Sequence, residues 1–496
     1  MADLLGVSLA RGIATRRNFL SGIAAGSGLL LAGCESAPNA NDRAKAARHL
    51  PDAAERTAAA DLTLRIGSVV VEVAKDHAIS TIGYNGSSSG PLIKLREGLP
   101  LSVEIVNETD SSELVHWHGM TVPPDVDGAA EENSLAVPAH AAIRYNLTPQ
   151  PSGTRFVHSH SMAMADLNRG TYTGQFGVVY IEPRRSPGRY DQEIFLATHE
   201  WEPFFTTEEM EDADAYAPMP PADYKKDDKP NGWEIGYQKF TFNGKCLGNG
   251  EPVRVKQGER VLFHIVNASA TENIKLALPG HRFLVTGLDG NPVPKPQHVD
   301  VLELGVAERI DAVVEMNNPG VWILGTPKDD DRANGMGIVV EYANKSGPPV
   351  WLAPPKHAWD YTMFGDSRPP ATPEETIPLV FGKINGGAGG FNLWTVNGKS
   401  FEERDPARIL RRGSRYRLVF DNHTDDAHPV HLHRSSFELV SVNGTPTGGV
   451  LKDVVLVKGF GKVEVDVVPS IAGLSLFHCH QQLHMDFGFK HLFKVV

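Results

Sequence analysis

Residues 406–422, PARILRRGSRYRLVFDN, form one copy of a unit that occurs three times in this chain. Each copy contains a Pro, a Gly and, nine residues after that Gly, an Asn; the other two copies span residues 91–107 and 252–267. Apolar side chains alternate before each Asn, as Leu418 and Phe420 do here. This alternation is typical of a half-buried strand, and its recurrence indicates a repeated domain.

A second block closes each copy. It consists of a Gly followed by an apolar strand, at Gly153, Gly320 and Gly473. Since the copies recur about every 155–160 residues, we predict an all-β protein of three β-sandwich domains. The predicted boundaries are 61–185, 186–346 and 376–496 for the domains and 347–375 for a Pro-rich linker.

Composition agrees with this class and excludes others. The 496 residues include 48 Gly and 35 Pro, which favours a turn-rich β protein. The net charge is −12, and the body of the chain has no basic cluster, so we expect no nucleic-acid partner. Three cysteines are too few for a disulfide framework.

The N-terminus has the features of an export signal. Arg16 and Arg17 precede a short apolar run, residues 22–32, and together they resemble a twin-arginine signal. The run ends in Leu-Ala-Gly-Cys34, which is similar to a bacterial lipobox. We therefore expect residues 1–33 to be a signal peptide and 34–60 a tether, with the twin-arginine export machinery as a partner. The expected location is the bacterial periplasm or cell envelope, with a lipid anchor at Cys34. The alternatives are a cytosolic amphipathic helix and, for Cys34, an ordinary small residue near a cleavage site.

Histidines recur at fixed offsets within the repeat. The first and last copies have His-x-His pairs nine and eleven residues after the Asn, and again five and seven residues after the Gly of the second block. The pairs are His116 and His118, His158 and His160, His431 and His433, and His478 and His480. The middle copy has Leu276, Leu278, Gly325 and Pro327 there. Alternate strand residues face one side, about 7 Å apart, and neutral imidazoles suit copper, zinc or iron.

The last copy adds a thiol to this pattern. Cys479 lies between two histidines, so its side chain is expected on the opposite face of the strand. His428 and His484 are nearby in sequence, and two His with one Cys form the trigonal set of a blue-copper site. The equivalent residues are Ser159 and Thr326 in the other copies, so only the last domain is expected to hold such a site.

These motifs resemble a known family. His116-Trp117-His118-Gly119, His158-Ser159-His160, residues 428–433 (HPVHLH) and His478-Cys479-His480-x3-His484 are similar to the four signatures of multicopper oxidases. The resemblance spans residues 61 to 496 and implies three cupredoxin-like Greek-key β-sandwich domains. It also implies four copper ions, with O2 and a small reducing substrate as partners.

The resemblance further implies a role for each motif residue. Type 1 copper would be bound by His428, Cys479 and His484; type 2 copper by His116 and His431; and the type 3 pair by His118, His158, His160, His433, His478 and His480. Asp127 is similar to the family's acid near type 2 copper and is expected to relay protons, although Asp-Gly also favours a plain turn. Some bacterial relatives have Glu where this chain has Met485, so Asp486 is the nearest candidate for a second relay. Phe489 occupies the axial position of type 1 copper, where Phe cannot be a ligand.

The expected reaction is one-electron oxidation of a substrate coupled to reduction of O2 to water. Few of the Met residues lie close together in sequence, which weighs against a specialised cuprous oxidase. A laccase-like oxidase of phenols or aromatic amines is therefore the first choice. A metallo-oxidase, either a ferroxidase or a cuprous oxidase, is the alternative, and an exported scaffold without enzyme activity is a remote one. Residues 200–234 form an acidic stretch that we expect to be a surface insertion, which attracts cations or simply aids solubility.

Overall fold

The computed structural model describes residues 59–87, 89–184, 188–207, 218–220, 229–355 and 359–496. The predicted signal peptide and residues 34–58 of the predicted tether lie outside these residues, as do 208–217 and 221–228 of the acidic stretch. The described chain contains 33 strands and only short helices, so the predicted all-β class is confirmed. None of the helices in the described part is long and apolar enough to cross a membrane.

The first domain is a sandwich of two four-stranded sheets, ordered β2-β1-β4-β6 and β3-β8-β7-β5. Its strands are β1 (Leu62–Ala74), β2 (His77–Tyr84), β3 (Ile93–Arg96), β4 (Leu101–Asn107), β5 (Val115–His118), β6 (Ala141–Leu147), β7 (Gly153–Ser159) and β8 (Phe176–Glu182). Two 3-10 turns span Ala130–Glu132 and Gly170–Thr173. Val103, Ile105 and Trp117 fill the space between the sheets and are fully buried.

The middle domain pairs a six-stranded sheet, β12-β9-β14-β19-β16-β17, with a five-stranded one, β13-β21-β20-β15-β18. Its strands are β9 (Gln192–Trp201), β10 (Phe204–Thr206), β11 (Glu234–Gly236), β12 (Lys239–Phe242), β13 (Val253–Val255), β14 (Arg260–Asn267), β15 (Ile274–Ala277), β16 (Phe283–Leu288), β17 (Asn291–Val299), β18 (Val301–Leu304), β19 (Arg309–Glu315), β20 (Val321–Gly325) and β21 (Gly337–Tyr342). Strands β10 and β11 pair with each other at the base of the acidic stretch. A short helix, α1, spans Asp329–Ala333.

The last domain has the sheet order β23-β22-β25-β31-β27-β28, with β29 also on β27, and a second sheet β24-β33-β32-β26-β30. Its strands are β22 (Glu375–Ile384), β23 (Leu393–Val396), β24 (Arg408–Leu410), β25 (Tyr416–Asn422), β26 (His428–Leu432), β27 (Phe437–Val442), β28 (Thr445–Pro446), β29 (Leu451–Lys452), β30 (Val454–Val457), β31 (Lys462–Val467), β32 (Gly473–Cys479) and β33 (Lys490–Val495). Helix α2 spans Gln482–Asp486, and 3-10 turns span Tyr361–Phe364, Ala388–Gly390 and Phe401–Glu403.

The three domains repeat one topology. In each, the first strand pairs in parallel with the strand that ends at the repeat Asn: β1 with β4, β9 with β14 and β22 with β25. In each, two strands of the other sheet pair antiparallel: β5 with β7, β15 with β20 and β26 with β32. The predicted cupredoxin-like Greek-key sandwiches are therefore confirmed.

The repeat Asn explains why the histidine offsets are constant. Asn107 Nδ2 donates to the Ser111 and Val137 carbonyls at 2.8 and 3.0 Å, and its Oδ1 accepts from the Thr109 backbone N–H at 3.0 Å. Asn422 makes the same bonds in the last domain, to the Asp426 carbonyl and from the Thr424 N–H. Because this side chain fixes the loop that follows it, the histidine pair of the next strand lies nine and eleven residues after the Asn in both domains.

Part of the stretch predicted as a Pro-rich linker, residues 359–365, packs against the domains that it joins. Trp359, Tyr361 and Phe364 are buried in the core shared by the middle and last domains. The Tyr361 hydroxyl donates to Glu308 Oε1 at 2.7 Å. Proline frequency alone could not predict these contacts, because they depend on three aromatic side chains that meet a neighbouring domain.

Candidate metal centre

The histidine pairs occupy matching registers in two sheets. His116 on β5 faces His158 on β7, and His431 on β26 faces His478 on β32. The second histidine of each pair lies two residues further along the chain, at the end of the strand or just beyond it. Its side chain points to the same side of the sheet as that of the first. All eight side chains are buried; these are His116, His118, His158, His160, His431, His433, His478 and His480, called the histidine cluster below.

The histidine cluster forms where the first and last domains meet. The rings of His118 and His431, one from each domain, stack at a centroid distance of 3.9 Å. His158 Nε2 lies 3.4 Å from His118 Nδ1 and 3.3 Å from His480 Nε2. The structure therefore brings the four predicted pairs together, although more than 270 residues separate the two pairs of the first domain from the two pairs of the last.

Backbone carbonyls orient the rings. His116 Nδ1 donates to the Asp127 carbonyl at 2.8 Å, and His431 Nδ1 donates to the Asp453 carbonyl at 2.7 Å. Among the described residues, the buried Nε2 atoms of His116, His160 and His431 have no hydrogen-bond partner. A buried nitrogen without a partner is costly, and a metal ion would satisfy each of these atoms. The donor set thus fits a metal centre.

The protonation state of the imidazoles agrees with this fit. Burial lowers the pKa of His158 to about 3 and that of His160 to about 4. Burial and the neighbouring imidazoles lower the pKa of His116 and His433 well below the usual value. The rings are therefore neutral at pH 7, which is the form that binds metal ions.

A second cluster lies on the opposite face of β32. Cys479 Sγ is 3.7 Å from His428 Nδ1 and 3.6 Å from His484 Nδ1, and these two nitrogens are 3.2 Å apart. Burial, together with the Asp426 and Glu234 carboxylates, raises the pKa of the Cys479 thiol; a bound metal ion would reverse this. These three residues, called the thiolate site below, form the trigonal His2Cys set typical of blue copper.

Aromatic rings enclose the thiolate site. Phe489 is fully buried, with its ring 4.8 Å from that of His428. Trp394 lies 3.9 Å from the His484 ring on the other side. Neither side chain offers a lone pair to a metal ion, so an ion held here would have an apolar surround and three protein ligands.

Comparisons with known proteins agree with this geometry. Family models described as multicopper oxidase match residues 66–186, 213–344 and 375–496. This chain belongs to the multicopper oxidase family. It is 28% identical to the multicopper oxidase MmcO of Mycobacterium tuberculosis, over 96% of this chain and 95% of that protein. Membership implies a copper-dependent oxidoreductase that uses O2 and a reducing substrate.

Solved structures show the same fold. A multicopper oxidase from Campylobacter jejuni, described as a metallo-oxidase, superposes with a TM-score of 0.66 at 20% identity, covering 87% of this chain and 90% of that one. The laccase from Botrytis aclada superposes with a TM-score of 0.68 at 17% identity, covering 87% of each chain.

The middle domain of this multicopper oxidase departs from the repeat by one residue. Ala277, rather than Leu276, lies opposite Gly325 across β15 and β20. Leu276 and Leu278 are buried in the apolar core instead. The strand pair of this domain is therefore shifted by one residue relative to the other two domains. This shift matches the loop after the repeat Asn, since Asn267 Nδ2 donates to the Glu272 carbonyl five residues on, whereas Asn107 and Asn422 donate to a carbonyl four residues on.

Carboxylates border the histidine cluster. Asp127 is fully buried, and its Oδ2 accepts from His433 Nδ1 at 2.8 Å. Burial, with the Glu132 carboxylate nearby, raises the pKa of Asp127 well above the usual value. Glu132, which sequence reasoning missed, lies 3.5 Å from His433 Nδ1 and 2.8 Å from Arg434 Nε. Its only sequence signal was its position five residues after Asp127.

Asp486 has different surroundings from Asp127. Its Oδ2 accepts from the backbone N–H groups of Ala163 and Met164, at 2.8 and 2.7 Å, and from Gln482 Nε2 at 2.9 Å. These bonds tie helix α2 to the loop that follows His160. The contacts of Asp486 are those of a structural tie, and its predicted relay role remains a prediction.

A pocket of about 330 Å³ opens at the thiolate site. His484 lines it, and Glu234 Oε2 lies 3.8 Å from His484 Nε2. Glu234 was not singled out from the sequence, since it sits at the end of the acidic stretch with ten similar side chains. The edge of a predicted copper ligand is therefore within reach of a bound molecule.

Proposed function

We propose that this chain is a laccase-like multicopper oxidase that oxidises phenols or aromatic amines one electron at a time and reduces O2 to water. The observation behind this proposal is that the three consecutive residues His478-Cys479-His480 join the thiolate site to the histidine cluster. Electrons taken up in the pocket therefore have a covalent route to the buried centre. Four substrate molecules release four electrons and four protons, which convert one O2 into two water molecules.

The donor sets suggest how four copper ions would be distributed. His428, Cys479 and His484 would hold type 1 copper, and His116 and His431 would hold type 2. The type 3 pair would be held by His118, His158, His160, His433, His478 and His480. When bound, copper would supply the electron-accepting and O2-reducing chemistry.

Asp127 is proposed to hold and release protons at the histidine cluster. Its carboxylate accepts a hydrogen bond from His433, and its backbone carbonyl accepts one from His116. Reduction of O2 consumes protons, and burial with the nearby Glu132 carboxylate raises the pKa of Asp127, so this carboxyl group holds a proton more readily than an ordinary Asp. Glu132 lies on the same side and would extend this route.

Glu234 is proposed to bind the substrate. Its Oε2 faces the His484 edge, and its Oε1 accepts from Asn392 Nδ2 at 3.0 Å. Asn392 belongs to the last domain and also accepts from the Gly232 N–H at 2.8 Å, so it holds Glu234 in place across the domain boundary. A carboxylate there can take the proton that a phenol or aromatic amine loses on oxidation.

A metal-ion substrate is the second candidate. Six carboxylates line the pocket, against four lysines; they are Glu234, Glu272, Glu303, Asp331, Asp425 and Asp426. Carboxylates suit Fe²⁺ as a substrate, while a cuprous oxidase would be expected to use softer ligands. A scaffold without enzyme activity is disfavoured by the retention of ten histidines and one cysteine in the two clusters.

The test is O2 uptake by the copper-loaded protein with a phenol, Fe²⁺ and Cu⁺ measured side by side. We expect the phenol to give the highest kcat/KM, and Glu234→Gln to lower that value about 100-fold because the proton acceptor is lost. Asp331→Asn is the matched control, since it removes a carboxylate from the same pocket at helix α1. A higher kcat/KM for Fe²⁺ or Cu⁺ would replace the laccase-like proposal with a metallo-oxidase, and no O2 uptake with any of the three would contradict both.

Export is proposed from the N-terminal motifs alone. Replacing Arg16 and Arg17 with Lys should retain the protein in the cytoplasm of a bacterial host, and Cys34→Ser should release it from the membrane fraction. Cell fractionation with immunoblotting measures both, and unchanged fractions would contradict the export signal and the lipid anchor respectively.

A further inference from the structure

The middle domain contributes no histidine to the histidine cluster, yet one of its side chains reaches the base of it. Arg309, at the start of β19, is fully buried. Its Nη1 donates to Asp453 Oδ1 at 2.7 Å, and its Nη2 donates to Asp453 Oδ2 at 2.6 Å. This two-pronged contact fixes both the position and the plane of the carboxylate.

Asp453 in turn contacts predicted copper ligands from both outer domains. Its Oδ1 accepts from His118 Nε2 at 3.0 Å, and its backbone carbonyl accepts from His431 Nδ1 at 2.7 Å. With Nε2 occupied by this hydrogen bond, His118 presents Nδ1 to the cluster, 3.4 Å from His158 Nε2. Three domains therefore meet in one chain of contacts: Arg309, Asp453 and His118.

The surroundings of Asp453 leave its carboxylate little freedom. Three cations and three anions are packed together with 0–1% exposure; they are Arg155, Arg309, Lys452, Asp289, Glu308 and Asp453. Arg155 Nη1 also approaches Asp453 Oδ2, at 3.2 Å. Only Arg309 contacts both carboxylate oxygens of Asp453 among the hydrogen bonds of the described residues.

We propose that Arg309 is a positioning residue for the copper centre: it holds Asp453 so that His118 offers Nδ1 rather than Nε2 to copper. This inference rests on the proposed function, because it takes His118 as a copper ligand. Hydrogen-bond partners of a ligating histidine set its tautomer and orientation, and losing them typically costs about 10–100-fold in metal affinity. The domain without ligands thereby controls the geometry of a site shared by the other two.

A purely structural role for Arg309 would have a different signature. If Arg309 only joined domains, its loss would affect both metal sites and the melting temperature together. A positioning role predicts damage confined to the histidine cluster, because the hydrogen bonds of Arg309 within the described residues do not involve His428, Cys479 or His484. The blue absorbance of copper bound at the thiolate site would therefore serve as an internal reference for damage to the histidine cluster.

The experiment compares copper-loaded wild type, Arg309→Gln and Arg309→Lys. Glu308→Gln is the matched control: it removes the neighbouring buried charge, which contacts Lys452 and Tyr361. The measurements are copper per chain, blue absorbance per chain, the fraction of copper visible by electron paramagnetic resonance, and copper loss to a chelator.

For Arg309→Gln we expect unchanged blue absorbance and about tenfold weaker retention of non-blue copper. We also expect a larger fraction of the copper to be visible by electron paramagnetic resonance, because the coupling within the type 3 pair would be disturbed. Arg309→Lys keeps the charge but not the two-pronged contact, so we expect partial recovery. Wild-type-like values for both variants, or parallel loss of blue and non-blue copper, would overturn the inference. If Arg309→Gln does not fold, Arg309→Lys alone decides by the same criteria. Wild-type protein that binds no copper would instead contradict the proposed function.

Discussion

The first and last domains place the same strand pair in the same register but use its outer face differently. His116 and His158 face the cluster from one domain, as His431 and His478 do from the other. Behind them the last domain has the thiolate site. At the same offsets the first domain has Glu113, Ser159 and Met164 in place of His428, Cys479 and His484.

The contacts on those outer faces are parallel as well. Ser159 Oγ donates to Glu113 Oε2 at 3.3 Å, where Cys479 Sγ meets His428 Nδ1 at 3.7 Å. Burial raises the pKa of Glu113, whose carboxyl also accepts from Ser161 Oγ. The same backbone frame thus holds a polar hydrogen-bonded group in one domain and the candidate metal ligands of the thiolate site in the other. Three side chains make the difference.

Cys479→Ser gives the last domain the residue of the first and is expected to have the largest effect. The blue absorbance should disappear and O2 uptake should fall to background, because the serine hydroxyl is a poor copper ligand and the electron entry site is lost. Absorbance spectra, copper analysis and oxygen electrode traces check this.

The reciprocal change, Ser159→Cys, is the control for that prediction. It should create no second blue site, because Glu113 and Met164 stand where imidazoles would be needed. A second blue band in this variant would show that the thiol alone defines the site and would contradict the comparison.

Asp127→Asn tests whether the histidine cluster, which the first and last domains form together, depends on a proton-carrying group from the first domain. The amide can still accept a hydrogen bond from His433 but cannot release a proton, so we expect kcat to fall about 100-fold. Copper content should stay unchanged. Asp486→Asn tests the other predicted relay in parallel, and a wild-type kcat in Asp127→Asn would contradict the role of Asp127.

Phe489→Met tests the apolar surround of the thiolate site. A thioether placed beside the Cys479 and His428 side chains would donate weakly to Cu²⁺, so the type 1 reduction potential should fall. Redox titration of the blue band measures this. Phe420→Met, a buried substitution beside Phe477, should leave the potential unchanged, and an unchanged potential in Phe489→Met would refute the axial assignment.

Glu113→Gln should give the smallest effect, seen only in the pH dependence of stability. The pKa of Glu113 is raised in the folded protein above its ordinary value of 4.5, so the native state binds this proton more tightly than the unfolded state. Wild-type stability should therefore decline as the pH rises from 4.5 through the raised pKa, and the decline should be shallower in Glu113→Gln. Denaturant unfolding of the copper-free protein across this range measures the difference, and identical profiles would contradict it.

The fold and the two clusters were largely predictable because their signals are local and periodic. The alternation before Asn107, Asn267 and Asn422 gives the strands, and the Asn side chain fixes the loop that sets the histidine offset. Cys479 between two histidines requires opposite faces of one strand. These inferences need only short stretches of sequence.

The supporting residues could not be predicted, because their partners come from other domains. Arg309, Asp453 and Asn392 have no distinctive spacing, and each acts through a contact more than 140 residues away. The one-residue register difference between β15 and β20 likewise cannot be read from the spacing of the repeat, because it follows the loop in which Asn267 donates to the Glu272 carbonyl.

Whether the thiolate site and the histidine cluster both bind copper is measured most directly by locating the copper in crystals of the loaded protein, with anomalous scattering at the copper absorption edge. We expect one peak among His428, Cys479 and His484, and three peaks among the eight imidazoles shared by the first and last domains. Peaks confined to one of the two clusters, or none at the boundary between the domains, would contradict this expectation.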